Sequence, residues 1–224
     1  MAVAPRRWVR EHALLIVCFA IFLACLAGMV ASGFQVANDE QATHGGSDLT
    51  LAAYLRSGEF IEALFENWES EFLQMGAYVV LTIFLFQKGS SESKPIGKRT
   101  AQDEDPRHAK VGPGTPWPVR RGGVALVLYE NSLAIFFFLL FATSFWLHAT
   151  GGAEAYSAEQ AQHGLPGVTP LEYLGTAQFW FESMQNWQSE FLAVGAIVGA
   201  SVFLRQRGSP ESKPVATPHH ETGA

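Results

Sequence analysis

The chain has 224 residues, of which 48% are hydrophobic and only 16% are charged, and its formal net charge is −6. This acidic balance gives no support for nucleic-acid binding. The two cysteines, Cys18 and Cys25, lie seven positions apart in one predicted helix, so a disulfide framework is excluded.

The first predicted element is an uncharged run over residues 13–32, which is long enough to cross the roughly 30 Å hydrocarbon core of a bilayer. Because arginines precede it and small residues end it, a cleaved signal peptide is the alternative interpretation. A matching apolar run at residues 132–149 is internal and cannot be a signal peptide. The match therefore favours a membrane span for both runs.

Two shorter apolar runs cover residues 72–86 and 191–204. Fifteen helical residues reach only about 22 Å, so the first of these must be extended to cross a membrane. The basic turn at Gln87-Lys88-Gly89 blocks one end, and the extension must therefore run back through residues 67–71. The sequence thus predicts an all-α membrane protein with four spans, at about residues 12–32, 64–87, 127–149 and 183–206.

A shift of 119 positions aligns the chain with itself. "EQATHG" falls on "EQAQHG", "NWESEFL" on "NWQSEFL", and "QKGSSESKP" on "QRGSPESKP". Without a gap, about 33 of 85 positions are identical, which indicates a duplication. Each copy contains two spans and returns the chain to its starting side, so the sequence predicts two parallel two-helix repeats.

The repeats set the predicted domain boundaries. Membrane repeat 1 covers residues 1–95, and membrane repeat 2 covers residues 120–214. A polar linker rich in Gly and Pro joins them at residues 96–119 and is predicted to be flexible, and a tail follows at residues 215–224. Thr169-Pro170 with Glu172 is typical of a helix start, which predicts short interfacial helices in the outer segments.

The positions of the Lys and Arg residues predict how the spans are oriented in the membrane. Of the 15 Lys and Arg residues, all but Arg56 precede the first span, lie between the second and third spans, or follow the fourth. Positive residues are retained on the cytoplasmic side, so both termini and the linker are predicted there, in a multi-pass protein of the cytoplasmic membrane. The expected partners are the lipid bilayer and either a second copy or another membrane protein.

The repeated polar motif is the predicted site. Asn, Ser and Glu share or adjoin one helix face at the outer boundary of the hydrocarbon, and Trp68 and Trp187 are predicted interfacial anchors. Hydrogen-bonded helix packing is the favoured role for these polar residues, and a proton or cation site built from both copies is the alternative. The candidate residues are Asn67, Ser70, Glu71, Asn186, Ser189 and Glu190.

A second repeated pattern offers weak metal ligands. Glu40 with His44, and Glu159 with His163, are spaced four apart, but local capping or a contact between repeats is favoured. No cofactor is predicted. The sequence has no phosphate-binding glycine loop, HExxH motif or nucleophile elbow, so no catalytic residue or enzyme class is indicated.

The segment "ENWESEFLQMGAYVVLTIFLFQKGSSESKP", with "EQATHG" and "LAAYL" before it, resembles a bacterial integral-membrane family known only as a domain of unknown function. The resemblance implies an inner-membrane location and carries no activity, cofactor or catalytic residue. The predicted function is therefore a structural or accessory membrane protein. The alternative is a small proton or cation transporter or channel, with Asn67, Glu71, Asn186 and Glu190 lining the path.

Overall fold

A computed structural model describes residues 5–43 and 45–223 of the chain. This part of the chain is all-helical and contains no β-strand, as the all-α prediction requires. Two single turns of 3-10 helix, Ala101–Asp103 and Pro106–His108, lie in the linker. The α-helices are α1 (Pro5–Glu11), α2 (Ala13–Thr43), α3 (Leu51–Tyr54), α4 (Gly58–Phe84), α5 (Trp117–Arg121), α6 (Gly123–Glu130), α7 (Ser132–Gln162), α8 (Pro170–Tyr173) and α9 (Ala177–Phe203).

Two sets of three helices have boundaries that match when the sequence is shifted by 119 positions. Helices α7, α8 and α9 begin 119 positions after α2, α3 and α4, and the lengths of 31, 4 and 27 residues are the same in both sets. The two halves of the chain therefore form the same local structure, position by position.

Helices α2 and α7 are long and apolar enough to cross a membrane. No residue in the most apolar part of α2 is buried within the chain, whereas 17% of the corresponding part of α7 is. Large apolar side chains of α2, Leu14 among them, are exposed on the surface. Apolar surface of this kind indicates membrane association.

Hydroxyl side chains cap the helices that follow α3 and α8. Ser57 accepts from the Phe60 backbone N–H at the start of α4, and Thr176 accepts from the Phe179 N–H at the start of α9. Helix α8 begins where the sequence predicts, with Thr169 and Glu172 forming a capping box. Hydrogen bonds from the backbone N–H and hydroxyl of Thr169 lower the pKa of the Glu172 carboxyl.

Helix α4 packs along α7 and, more sparsely, against α9. Helices α4 and α7 approach closely where Gly58 meets Gly151. A Cβ on Gly151 would lie 2.5 Å from the backbone N of Glu62 and 2.9 Å from the carbonyl O of Gly58. The absence of side chains at this crossing brings the two backbones together, as small residues do between membrane helices.

The bundle end that holds α3 and α8 is called the α8 end. Here Tyr173 and Phe179 pack with Ala149 and Ala153 in one buried cluster. In the first half, Tyr54 and Phe60 pack with Ala37 in a second cluster. Tyr54 and Phe60 lie 119 positions before Tyr173 and Phe179, so both halves use the same aromatic pair to join the one-turn helix to its neighbours.

The opposite end, called the turn end, contains the two "ESKP" segments. The backbone N–H of Gln87 donates to Ser93, and that of Gln206 donates to Ser212, each at 2.9 Å. Buried Ser90 meets Ser201 with 2.8 Å between their hydroxyl oxygens, which holds the ends of α4 and α9 together. The buried ammonium of Lys213 donates to the carbonyls of Pro218, His219 and Glu221, so the tail folds back over this end.

We predict that Gly151→Ala destabilises the protein because the added methyl must push α4 away from α7. The expected loss in the free energy of unfolding is about 1–3 kcal/mol, measured by thermal unfolding in detergent. Gly28→Ala on α2 is the matched control, because a Cβ there meets nothing within 4 Å. Equal stability of the two variants would contradict the close crossing.

Candidate functional site

Buried polar side chains converge just inside the α8 end of the bundle. Helix α4 contributes Glu69, α7 contributes His148, and α9 contributes Ser183, and all three are completely buried. Glu182 of α9 is largely buried, with 15% of its side chain exposed. Four helices meet here, since α8 adds the buried Tyr173. Buried ionisable groups are rare and mark functional sites when they cluster.

Glu69 accepts hydrogen bonds from several neighbours. The hydroxyl of Ser183 donates to its Oε1 at 2.8 Å, and the indole N–H of Trp187 donates to the same oxygen at 3.2 Å. The other oxygen, Oε2, lies 3.1 Å from Nδ1 of His148. These three contacts satisfy a carboxylate that has no access to water, and they fix its orientation.

His148 lies between two carboxylates. Its Nδ1 faces Glu69, and its Nε2 lies 3.2 Å from Oε2 of Glu182. The ring stacks on Phe179, with centroids 4.8 Å apart. A neutral imidazole has one N–H donor and one lone pair, so it cannot donate to both carboxylates. The contact with Glu182 therefore requires a further proton, on the ring or on the Glu182 carboxyl, or another cation in the space between them.

The hydroxyl of Tyr173 links a third carboxylate, that of Glu62, to the cluster. Its hydroxyl oxygen lies 2.6 Å from Oε2 of Glu182 and 3.0 Å from Oε1 of Glu62. Burial, with the hydrogen bond to Glu182 and the charge of Glu62, raises the pKa of the Tyr173 hydroxyl. The hydroxyl therefore stays protonated, and its single hydrogen serves two carboxylates.

With all of its groups ionised, this cluster carries more negative than positive charge. Three carboxylates, of Glu62, Glu69 and Glu182, surround one imidazole. Among residues 5–43 and 45–223, His148 is the only basic group within 4.0 Å of these carboxylates. Uncompensated buried carboxylates are costly, so the cluster has a net affinity for positive charge.

A cavity of about 380 Å³ leads from the surface to the cluster. Its lining includes Glu62, Glu182 and Tyr173 of the cluster, together with Glu40, Glu59 and Glu159. Within the described residues, Glu62, His148 and Glu182 each offer a ligand atom, and these atoms lie within 4.8 Å of one another. The arrangement can hold a proton or a metal ion, and it is open to solution at the α8 end.

The predicted site residues lie next to this cluster rather than within it. Ser70 is buried and donates to the Asn67 carbonyl, and Ser189 donates to the Asn186 carbonyl. Asn67 and Asn186 donate to the carbonyls four residues before them, those of Ala63 and Glu182. Glu71 is exposed, and Glu190 lies half-buried, close enough to Glu71 for the two charges to interact. The structure thus brings Glu71 and Glu190 together outside the His148 cluster.

The structure also shows where the two predicted anchor tryptophans and three of the four weak metal-ligand candidates lie. Trp68 packs against Phe65 and Phe72, whereas the indole of Trp187 points to Glu69. Glu40 and Glu159 line the acidic cavity. His163 is exposed, and His44 lies outside the described residues.

Sequence reasoning missed His148, Tyr173, Glu62, Glu69 and Glu182. One signal was available, because the two copies differ at four of these positions, whereas Tyr173 matches the identical Tyr54. His148 matches Met29, Glu182 matches Ala63, and Glu69 matches Gln188 under the 119-residue shift. At positions 62, 148 and 182 a polar residue in one copy stands opposite an apolar residue in the other, and these replacements occur in both halves of the chain.

The family model described as a domain of unknown function, DUF6766, matches residues 5–224. The chain belongs to this family. This confirms the resemblance to a family of unknown function. No curated protein matches the chain significantly, and no solved structure does so either. The role of this DUF6766 chain must therefore be argued from the geometry of its buried cluster.

We predict that Glu69→Ala is strongly destabilising because it leaves the donors of Ser183, Trp187 and His148 buried without an acceptor. The expected cost is about 3–5 kcal/mol, measured by thermal or denaturant unfolding in detergent. Glu71→Ala, two residues along the same helix, is the control and should change stability by no more than about 0.5 kcal/mol. A larger cost at position 71 than at position 69 would contradict the assignment of the cluster.

Proposed function

We propose that the chain is a multi-pass protein of the cytoplasmic membrane, with four spans in two parallel repeats and both termini in the cytoplasm. The coincident helix boundaries in the two halves support this arrangement. The exposed apolar surface of α2 and the length of α7 support membrane insertion. Since basic residues are concentrated at the turn end and in the linker, the α8 end would face away from the cytoplasm.

Single-cysteine labelling tests this topology in a background lacking Cys18 and Cys25. A membrane-impermeant maleimide should label Asp48→Cys and Pro166→Cys in intact spheroplasts, whereas Gly112→Cys in the linker should react only after lysis. Labelling of Gly112→Cys from outside would contradict the four-span arrangement. An intact mass that lacks the first span would instead support the signal-peptide alternative.

The function that the geometry supports best is cation binding at the α8 end. One observation carries this proposal: three carboxylates converge on a single imidazole, and no Lys or Arg of the described residues pairs with them. A bound cation would offset the charge that the helices bury. The lining of the cavity by Glu40, Glu59 and Glu159 would also raise the local concentration of cations at its mouth.

Binding fits the structure better than conduction. Towards the turn end, α7 presents Phe145, Phe141 and Phe137 at four-residue intervals below His148. Phe145 packs on Phe179, with ring centroids 5.1 Å apart, and Phe141 packs on Trp187, with centroids 6.2 Å apart. These aromatic rings lie on the turn-end side of the cluster, where a conducting path would need polar groups, so the favoured role is an accessory protein that takes up a cation from the outer side.

A packing role is the second candidate, and the contacts of Glu69 favour it. This carboxylate ties α4 to α7 and α9 through three hydrogen bonds, which is what interhelical polar residues do in membrane bundles. The two candidates differ in whether the purified protein responds to cations.

We predict that at least one cation from a panel of Na⁺, K⁺, Mg²⁺, Ca²⁺, Mn²⁺ and Zn²⁺ raises the melting temperature in detergent. At 100 times its dissociation constant, a ligand stabilises the folded state by about 2.7 kcal/mol. Glu182→Gln should abolish the response, whereas Glu190→Gln, eight residues along α9, should retain it. A protein that Glu182→Gln destabilises but that responds to no cation would have the packing role instead.

A further inference from the structure

We propose that the cluster is a divalent transition-metal site, with Glu62, Glu182 and Nε2 of His148 as ligands and Glu69 as the group that positions the histidine. This inference rests on the proposed cation-binding function and names the cation class. It begins from the ligand atoms of these three residues, which lie within 4.8 Å of one another.

The hydrogen bonds of Glu69 determine which nitrogen of His148 is available. Glu69 accepts from Ser183 and Trp187, so it is held as an acceptor directed at Nδ1 of His148. The Nδ1 atom therefore carries hydrogen, and in the neutral ring the lone pair lies on Nε2. This is the carboxylate–histidine–metal arrangement, in which an outer carboxylate orients a metal-binding imidazole.

In that neutral ring, the lone pair of Nε2 points towards oxygen atoms that also carry lone pairs. Nε2 lies 3.2 Å from Oε2 of Glu182. The hydroxyl of Tyr173 contacts the same Oε2 and also Oε1 of Glu62, which keeps the two carboxylates close together. Two ligands at about 2.1 Å from a tetrahedral metal are about 3.4 Å apart, close to this N–O separation. An ion between these atoms would turn a repulsive contact of lone pairs into two bonds.

The donor set selects the class of metal. An imidazole nitrogen with two carboxylate oxygens suits Zn²⁺, Mn²⁺ or Fe²⁺, whereas Ca²⁺ and Mg²⁺ prefer oxygen alone. The two ligating carboxylates also match the charge of a divalent ion. Three protein ligands leave at least one coordination position, and the 380 Å³ cavity opens onto this side of the cluster.

The sequence sets the stoichiometry at one metal ion per chain. Under the 119-residue shift, the ligand positions His148 and Glu182 match Met29 and Ala63 in the first half, and Glu62 matches Phe181 in the second. The equivalent place in the first half is occupied by the apolar cluster of Ala37, Tyr54 and Phe60, with Met29 packed against it. A second, symmetry-related metal site is therefore not expected.

The test is metal binding by the full-length protein purified in detergent and stripped with chelator. Zn²⁺ content after dialysis is measured by mass spectrometry, and Co²⁺ titration follows the visible absorption of the bound ion. We expect one ion per chain. His148→Gln and Glu62→Gln should weaken binding by more than about 100-fold, and Glu69→Gln by about 10–100-fold, which is typical for an outer carboxylate. Glu71→Gln should bind as the parent does.

Circular dichroism and size-exclusion chromatography establish that each variant is folded, and Glu62→Gln, at a half-buried position, is the variant expected to fold most readily. Binding of Ca²⁺ or Mg²⁺ but not of Zn²⁺ or Co²⁺ would overturn the transition-metal inference and leave the cation-binding proposal standing. Zn²⁺ binding that persists in His148→Gln and Glu62→Gln would overturn the ligand assignment and place the ion elsewhere, such as at His219 and His220. Absence of any cation binding would overturn both proposals.

Discussion

The contact between Glu69 and His148 is the constraint on which the α8 end depends. Both side chains are completely buried, and each comes from a different long helix. Burying a carboxylate is tolerated only when its lone pairs are satisfied, and Ser183 and Trp187 complete that requirement from α9. The same two helices also approach each other closely at Gly58 and Gly151. Helices α4 and α7 therefore provide both the close packing and the buried polar contact in this part of the molecule.

The two halves of the chain share a framework and differ in what they bury. Each has a long apolar helix, a one-turn helix and a second long helix, and each places a tyrosine of the one-turn helix against a phenylalanine of the next. In the second half this framework surrounds His148 and Glu182, whereas the first half has Met29 and Ala63 at the same positions. The shared framework accounts for the fold, and the differences between the copies account for the site.

The sequence predicts the all-α class, the two long apolar helices and the start of α8, because these depend on local composition and capping. It does not predict the cluster, because contacts between helices depend on how each helix is rotated about its axis. The sequence points to Glu71 and Glu190 because these positions of the motif are identical in both copies. In the structure, however, Glu69 is the residue of this motif that contacts α7 and α9. Comparison of the copies distinguishes His148 and Glu182, where a polar residue stands opposite Met29 or Ala63, but not Glu69, which stands opposite Gln188.

We infer that a cation lies between Nε2 of His148 and the carboxylates of Glu62 and Glu182. Anomalous diffraction at the zinc absorption edge, from crystals of the full-length protein grown with Zn²⁺, tests it most directly. We expect one strong anomalous peak per chain, at about 2.0–2.2 Å from these three ligand atoms. A map with no peak among these residues, while Nε2 of His148 still lies against Glu182, would contradict it.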